Sequence, residues 1–194
     1  MSDDPAAPPR FVRDRQALDE LLARPKQTAC PRCHRTGMLV GHGFLTGYAE
    51  HGNEREIRGR RLLCSARFRR AGCGRTFAVL LATVVAGFTV RTPTISALLE
   101  AVVAGLSRKA AWERAQASTG AAPGLSLRSG YRLWARLRAA QSRIRTALCH
   151  REPPPATADA RPIAQMLAHL RATFAAAGCL LAAFQLALQR GVFA

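Results

Sequence analysis

The stretch Cys30-Pro31-Arg32-Cys33 begins a segment that ends with Cys73-Gly74-Arg75-Thr76-Phe77, and Cys64 lies between the two. Two cysteine pairs around a short segment are typical of a structural metal site, in which four thiolates hold one tetrahedral ion. Short apolar runs in this part of the chain predict antiparallel strands, and a unit this small needs a metal because it buries little apolar surface. We therefore predict a three-stranded zinc ribbon over residues 28–82, with structural Zn2+ held by Cys30, Cys33, Cys64 and Cys73.

The spacing of the second cysteine pair is irregular, because eight residues separate Cys64 from Cys73 where two are usual. This spacing leaves open whether Cys64 or a histidine completes the metal site, and the histidines within reach along the chain are His34, His42 and His51. A catalytic zinc ion needs an open coordination position and a nearby general base, and a full set of cysteine ligands provides neither. We expect the metal to be structural and the protein not to be an enzyme.

Positive charge dominates the composition, with 29 Lys and Arg residues against 12 Asp and Glu and a net charge of +17. A protein this basic repels itself unless a polyanion accompanies it, and nucleic acid is the commonest such partner. One zinc ion with four thiolates leaves a small negative charge, which is too little to explain the many arginines of the ribbon. We predict that the following residues bind nucleic-acid phosphates: Arg58, Arg60, Arg61, Arg67, Arg69, Arg70 and Arg75.

Residues 92–150 carry the pattern of three helices, and the third runs from Ser126, a capping residue, to about residue 148. No acidic residue lies between Arg128 and Arg151, so salt bridges along this helix cannot neutralise its arginines. We predict a mainly α-helical, helix-turn-helix-like region whose third helix contacts double-stranded DNA. The residues expected at that contact are Arg128, Arg132 and Arg136.

The remaining segments complete an α+β protein, a small β zinc ribbon followed by helices. The sequence of residues 1–27 predicts a flexible lead with a short helix. The prolines within residues 151–161 indicate an extended linker. Residues 162–194 predict one amphipathic helix with the apolar spacing of a coiled-coil seam. Two alternatives remain for that seam: it forms a homodimer through residues 163–188, or it covers the third helix of the same chain.

With these motifs assembled, the chain resembles the zinc-ribbon proteins of bacterial insertion sequences. In that family a C-P-x-C pair, an R-R-x-x-C strand and a C-G-R-T-F ending precede a helix-turn-helix that binds transposon DNA. The matching residues are Cys30-Pro31-Arg32-Cys33, Arg60-Arg61-Leu62-Leu63-Cys64 and Cys73-Gly74-Arg75-Thr76-Phe77.

The resemblance also implies what this chain lacks. A full transposase of this kind carries a later ribonuclease-H-like domain whose acidic residues bind two metal ions. Too little chain follows residue 92 for that domain, so we expect no catalytic residues. The resemblance implies a transposon-associated accessory or regulatory DNA-binding factor, or a remnant of a longer transposase.

Two functions from other classes fit the same residues. In one, the ribbon only stabilises the fold and the late helices form a protein–protein interaction module. In the other the basic surfaces bind RNA, although the sequence lacks the clustered aromatics that stack on single-stranded bases.

The expected location is the cytoplasm, and we expect no membrane partner. The N-terminus has no basic stretch followed by an apolar run, so it does not predict a secretory signal. The longest apolar runs are shorter than the roughly 20 residues that cross a bilayer. Paired cysteines in the cytoplasm stay reduced, which agrees with a metal site.

Overall fold

The computed structural model describes residues 10–50, 52, 54–67, 71–120 and 125–193. Within them the chain is mixed α/β, with one four-stranded sheet and six α-helices. The strands are β1 (Phe11–Val12), β2 (Leu39–Tyr48), β3 (Arg55–Cys64) and β4 (Thr76–Leu81). The helices are α1 (Arg15–Ala23), α2 (Thr92–Val103), α3 (Arg108–Thr119), α4 (Leu127–Cys149), α5 (Pro162–Thr173) and α6 (Leu180–Leu188).

The chain forms two compact units. Unit 1 consists of the described parts of Met1–Gly47 and Arg55–Ala82, and it contains most of the sheet with α1. Unit 2 consists of the described parts of Tyr48–Glu54 and Thr83–Ala194, and it contains helices α2 to α6. The structure therefore confirms the prediction that the chain contains both strands and helices.

The sheet has the strand order β1-β4-β3-β2, one strand more than the sequence predicted. Strands β3 and β4 are antiparallel, with Leu63 opposite Thr76, as expected for the end of the cysteine segment. The additional strand β1 pairs in parallel with β4, and its Val12 carbonyl accepts a 2.7 Å hydrogen bond from the Ala82 N–H. Strand β1 thus covers the polar edge of β4. Within the segment 1–27, which was predicted to be a flexible lead with a short helix, the structure contains this strand and helix α1, and residues 1–9 lie outside the described residues.

Helix α1 supplies the larger apolar core of unit 1. Asp14 begins the helix, since its carboxylate accepts a hydrogen bond from the Ala17 N–H at 2.9 Å. The fully buried Leu18 packs with Val12, Leu62 and Val79 of the sheet. The buried part of this core is limited to these four residues, so unit 1 buries little apolar surface of its own.

Unit 2 has a continuous hydrophobic core. Its largest fully buried side chains are Trp112, Phe184, Ile95, Leu98, Leu99, Leu133, Leu137, Ile144 and Leu148. Ser126 caps α4 as predicted, because its hydroxyl accepts a hydrogen bond from the Ser129 N–H. Helix α4 spans 23 residues but carries exposed arginines, and among the described residues no helix has the length and apolar character needed to cross a membrane.

The predicted single helix over residues 162–194 is two helices in the structure, α5 and α6. Its heptad spacing is continuous through residues 174–179, but Phe174 ends α5 outside the helical region of backbone angles and Cys179 is extended. The break allows α5 to pack on α4 while α6 packs on α2.

Most apolar residues of the predicted seam are buried inside unit 2, with Leu170 and Leu181 fully inaccessible to solvent and Phe174 and Leu188 partly buried. These side chains cover helices of the same chain, as in the second of the two alternatives for the seam. A homodimer through residues 163–188 would require these side chains to leave the core.

Candidate metal centre and basic surfaces

The first cysteine turn, Cys30–Arg35, is closed by backbone hydrogen bonds. The His34 N–H donates to the Cys30 carbonyl at 2.9 Å, and the Cys30 N–H donates to the Arg35 carbonyl at 3.0 Å. The Arg32 N–H points at the Cys30 sulfur, 3.5 Å away. His34 has φ of 55°, a left-handed conformation that turns the chain sharply after Cys33.

The second cysteine turn repeats this pattern with Cys64, Cys73, Gly74 and Arg75. The Gly74 N–H donates to the Cys64 carbonyl at 2.9 Å, and the Cys64 N–H donates to the Arg75 carbonyl at 2.9 Å. The Cys73 N–H points at the Cys64 sulfur, 3.3 Å away. Gly74 has φ of 70°, so it is the counterpart of His34, and glycine adopts this conformation without steric cost.

The two turns thus share their backbone hydrogen bonds, although the N–H near the first sulfur belongs to Arg32 in one and to Cys73 in the other. The second turn also contains six more residues, Ala66–Ala71. The two ends of the extra segment lie side by side. A Cβ atom on Gly72 would collide with the Ser65 carbonyl, so only glycine fits there. Ser65 and Gly72 therefore act as the two middle residues of an ordinary C-x-x-C turn. The Arg35 guanidinium of the first turn donates to the Ala71 carbonyl at the end of the segment.

The four cysteine sulfur atoms of these turns lie within 4.8 Å of one another. The distance from Cys30 Sγ to Cys73 Sγ is 3.7 Å, and that from Cys33 Sγ to Cys64 Sγ is 3.6 Å. Zinc–sulfur bonds of about 2.3 Å in a tetrahedron place the sulfur atoms about 3.8 Å apart. The cluster has this spacing, so the residues present could hold a metal ion.

Cys64, whose role the spacing left open, is fully buried in the cluster together with Cys30. Of the histidines offered as alternatives, His34 and His42 are exposed and are not part of the cluster, and His51 lies outside the described residues. Cys64 is brought to the cluster by the backbone closure at Ser65 and Gly72. Spacing along the chain could not indicate this closure.

The environments of the thiols differ within the cluster. The Arg35 N–H is the main cause that lowers the pKa of Cys33 to about 7, whereas burial raises the pKa of Cys64 to about 12. Metal ions bind the thiolate form, so a bound ion must displace the proton of the buried Cys64 as well. The cluster is only partly shielded from water, since Cys30 and Cys64 are buried, Cys33 is half-buried and Cys73 is exposed.

The arginines predicted to bind phosphates in the ribbon do not share one surface. Arg60 is opposite Val79 and Arg61 is opposite Ala78 in the pairing of β3 with β4. Because consecutive residues of a strand point to opposite faces, these two side chains lie on different sides of the sheet. The exposed members of the set are Arg61, Arg67 and Arg75, while Arg69 and Arg70 lie outside the described residues.

Arg58 and Arg60 lie flat against the sheet. The Arg58 side chain is only 12% exposed, and it crosses strand β2 at Gly47, where a Cβ atom would meet it. The Arg60 guanidinium crosses β2 at Gly41 and stacks on Phe44, 3.9 Å from the ring centroid. Phe44 is not among the predicted site residues, although its place on a glycine-rich strand next to an arginine-rich one could have indicated this contact.

Helix α4 presents its predicted arginines to solvent. Arg128, Arg132 and Arg136 are exposed and follow one another at intervals of four residues, so they form a row on one side of the helix. No acidic residue lies on α4. In its first turns the helix also exposes Leu127 and Tyr131, and the Arg108 guanidinium of α3 lies 5.1 Å from the Tyr131 ring.

Comparison of the chain with protein-family models, with curated proteins and with solved structures gave no match. The indication of function therefore comes from side-chain chemistry. Four thiols at tetrahedral spacing suit a soft or borderline divalent metal, and a row of exposed guanidinium groups suits phosphate.

Proposed function

We propose that this protein is a zinc-stabilised DNA-binding protein, an accessory or regulatory factor of the kind associated with insertion sequences and without catalytic residues of its own. The observation that carries the proposal is the exposed row Arg128, Arg132 and Arg136 on α4. No carboxylate of that helix neutralises the row, so a polyanion such as duplex DNA is the complementary partner.

In this proposal Cys30, Cys33, Cys64 and Cys73 hold structural zinc. The sulfur spacing and the all-thiolate donor set support zinc, and four protein ligands leave no open coordination position for catalysis. Bound zinc would supply a cross-link between the two cysteine turns. The chain's own residues provide the rest, since backbone N–H groups of Arg32 and Cys73 point at two of the sulfur atoms.

Helices α2, α3 and α4 support a helix-turn-helix-like reading of unit 2. The turn between α2 and α3 is short, and Gly105 within it has φ of 95°, a conformation that favours glycine. In this reading α4 is the recognition helix, whose first turns expose Leu127 and Tyr131 for contact with bases while the arginine row holds phosphates.

The test measures duplex DNA binding by fluorescence anisotropy over a range of salt concentrations. We compare the metal-loaded protein with a variant in which Arg128, Arg132 and Arg136 are replaced by Gln. The matched control replaces the same number of exposed arginines outside α4, Arg13, Arg24 and Arg171. Each lost phosphate contact reduces the slope of log affinity against log salt by about 0.9, so the first variant should lose about 3 from its slope.

The control variant has the same net charge as the first but keeps the α4 row. Equal loss of affinity in both variants would mean that only net charge matters, and the row would not be the binding surface. A protein-interaction module predicts no salt-dependent DNA binding in any of the three proteins. Tighter binding to RNA of the same sequence than to the DNA duplex would assign the surface to RNA.

A further inference from the structure

Unit 2 contains a cavity of about 280 Å3 between the C-terminal half of α4, helix α6 and the residues that follow α6. Ligand sites span roughly 300–1,000 Å3, and this cavity lies just below the lower limit, so it has room only for a compact small molecule. Its walls include four buried apolar side chains, Ile144, Ala147, Phe184 and Val192. An apolar lining of this kind favours a ligand with a hydrocarbon body.

One wall of the cavity is held in place by a buried amide. Gln185 is fully buried, and its Oε1 accepts a 3.1 Å hydrogen bond from the Val192 N–H. Its Nε2 donates to the Val84 carbonyl at 2.9 Å, so both ends of the amide are bound. The residues after α6 are therefore fixed against the core, so this wall of the cavity has a defined position in the fold.

The rim of the cavity is cationic. Arg143 and Arg190 line it together with the imidazole of His150, and no carboxylate of the described residues lines it. Arg143 lines the cavity and donates one long hydrogen bond, of 3.5 Å, to the Phe193 carbonyl, which leaves its other N–H donors for a ligand. Neither arginine forms an ion pair with a carboxylate of the described residues.

We propose that this cavity binds a small organic acid, with the apolar body of the ligand against Phe184 and Ile144 and its carboxylate at Arg143 and Arg190. A guanidinium group binds a carboxylate through two parallel hydrogen bonds, which gives the site its selectivity for this group. A bare inorganic anion would satisfy the arginines but would leave the apolar walls unfilled. The proposal thus depends on both parts of the ligand.

The site is separate from the surface proposed to bind DNA. The two sets share no residue, and their nearest members along α4 are Arg136 of the row and Ser142 of the cavity, six positions apart. A helix rises by about 1.5 Å per residue, so these two positions lie about 9 Å apart along its axis. Substitutions can therefore be made in one set without changing a residue of the other.

The test titrates the full metal-loaded chain with three groups of probes and records amide resonances by NMR. The first group contains straight-chain and aryl-substituted carboxylic acids of different lengths, the second contains the matching alcohols, and the third is inorganic phosphate. We expect acids to shift the resonances of Ala147, Gly191 and Val192. Matching alcohols should bind at least about tenfold more weakly, because they lack the charge that the arginines recognise.

Two variants assign the contacts. Arg190→Gln should weaken binding of the best acid about tenfold, and Ala147→Leu should abolish it by filling the cavity. Arg138→Gln, an exposed arginine of α4 that does not line the cavity, serves as the charge control and should leave the affinity unchanged. The proposal is overturned if no acid shifts the three resonances, if phosphate shifts them equally, or if the control variant weakens binding as much as Arg190→Gln.

Discussion

The two units of this protein are stabilised by different means. Unit 2 buries large apolar side chains from five helices in one core, whereas the main core of unit 1 contains four buried residues and adjoins a cluster of four cysteines. Apolar burial scales with the size of a folded unit, so the small sheet cannot match the helices. On the proposal that the four cysteines hold a metal ion, we expect unit 1 to need this ion for stability and unit 2 not to need it.

Removal of the metal should have the largest effect. A structural zinc ion contributes on the order of 10 kcal/mol to the folding of a small domain, so a chelator should unfold unit 1. The helices of unit 2 should persist, and far-UV circular dichroism should retain most of the helical signal while sheet amides exchange rapidly with deuterium. If the chelator removed both the helical circular dichroism signal and the protection of the sheet amides, the units would not fold independently.

Single cysteine variants test whether the stability of unit 1 depends on the cluster. Cys64→Ser should reduce the metal content and expose the sheet, because in the proposed site the buried sulfur would be one of the four ligand atoms. Cys149→Ser is the matched control, since Cys149 is exposed and outside the cluster. It should bind as much metal as the unchanged protein, as measured by mass spectrometry under native conditions.

Truncation of a core leucine should affect unit 2 alone. Leu137 is fully buried in the helical core, and Leu137→Ala should lower the free energy of unfolding by about 3 kcal/mol through lost burial and the cavity left behind. Denaturant unfolding followed by the helical signal measures this loss. Leu127→Ala, at an exposed position of the same helix, should change it little, and the metal content should be the same in both variants.

Deletion of Ala66–Ala71 should change stability much less. The backbone already closes between Ser65 and Gly72, so the deletion leaves a C-x-x-C turn like that of Cys30 and Cys33. Shortening a loop by a few residues alters the free energy of folding only slightly. The deletion variant should bind one metal ion per chain, and loss of the ion would show that the segment is needed to form the site.

The smallest expected effect concerns acid stability in unit 2. The carboxylate of Asp159 accepts hydrogen bonds from Arg161, and this interaction lowers the pKa of Asp159 to about 2. The folded-state pKa is below the ordinary value of 3.8, so the stabilisation is present above pH 3.8 and is lost as the pH falls through about 2. Asp159→Asn should remove this part of the acid transition, measured by the helical signal between pH 4 and 2, and leave the remainder of the curve unchanged.

The sequence predicted those features that depend on local chemistry. The cysteine pairs, the strands around them and the long helix that begins after Ser126 follow from residue type and spacing, and the structure contains each of them. Strand β1 could not be predicted, because two residues carry no periodicity and their role depends on the neighbouring edge of β4.

Other features depend on how distant residues meet. The apolar spacing of residues 162–194 does not indicate that the chain turns between α5 and α6 to reach α2. The opposite directions of Arg60 and Arg61 depend on strand register, and the identity of Cys64 as a cluster member depends on a backbone contact between Ser65 and Gly72. None of these is encoded in a short window of sequence.

The closure at Ser65 and Gly72 also has a practical consequence. A peptide inserted between these two residues would start and end at a rigid base, because the hydrogen bonds of the second cysteine turn are made on either side of it. A fluorescent amino acid or an epitope placed there would be displayed at a fixed position beside the cysteine cluster. The protein thus offers an attachment point for reporters of metal binding in which the reporter replaces no ligand.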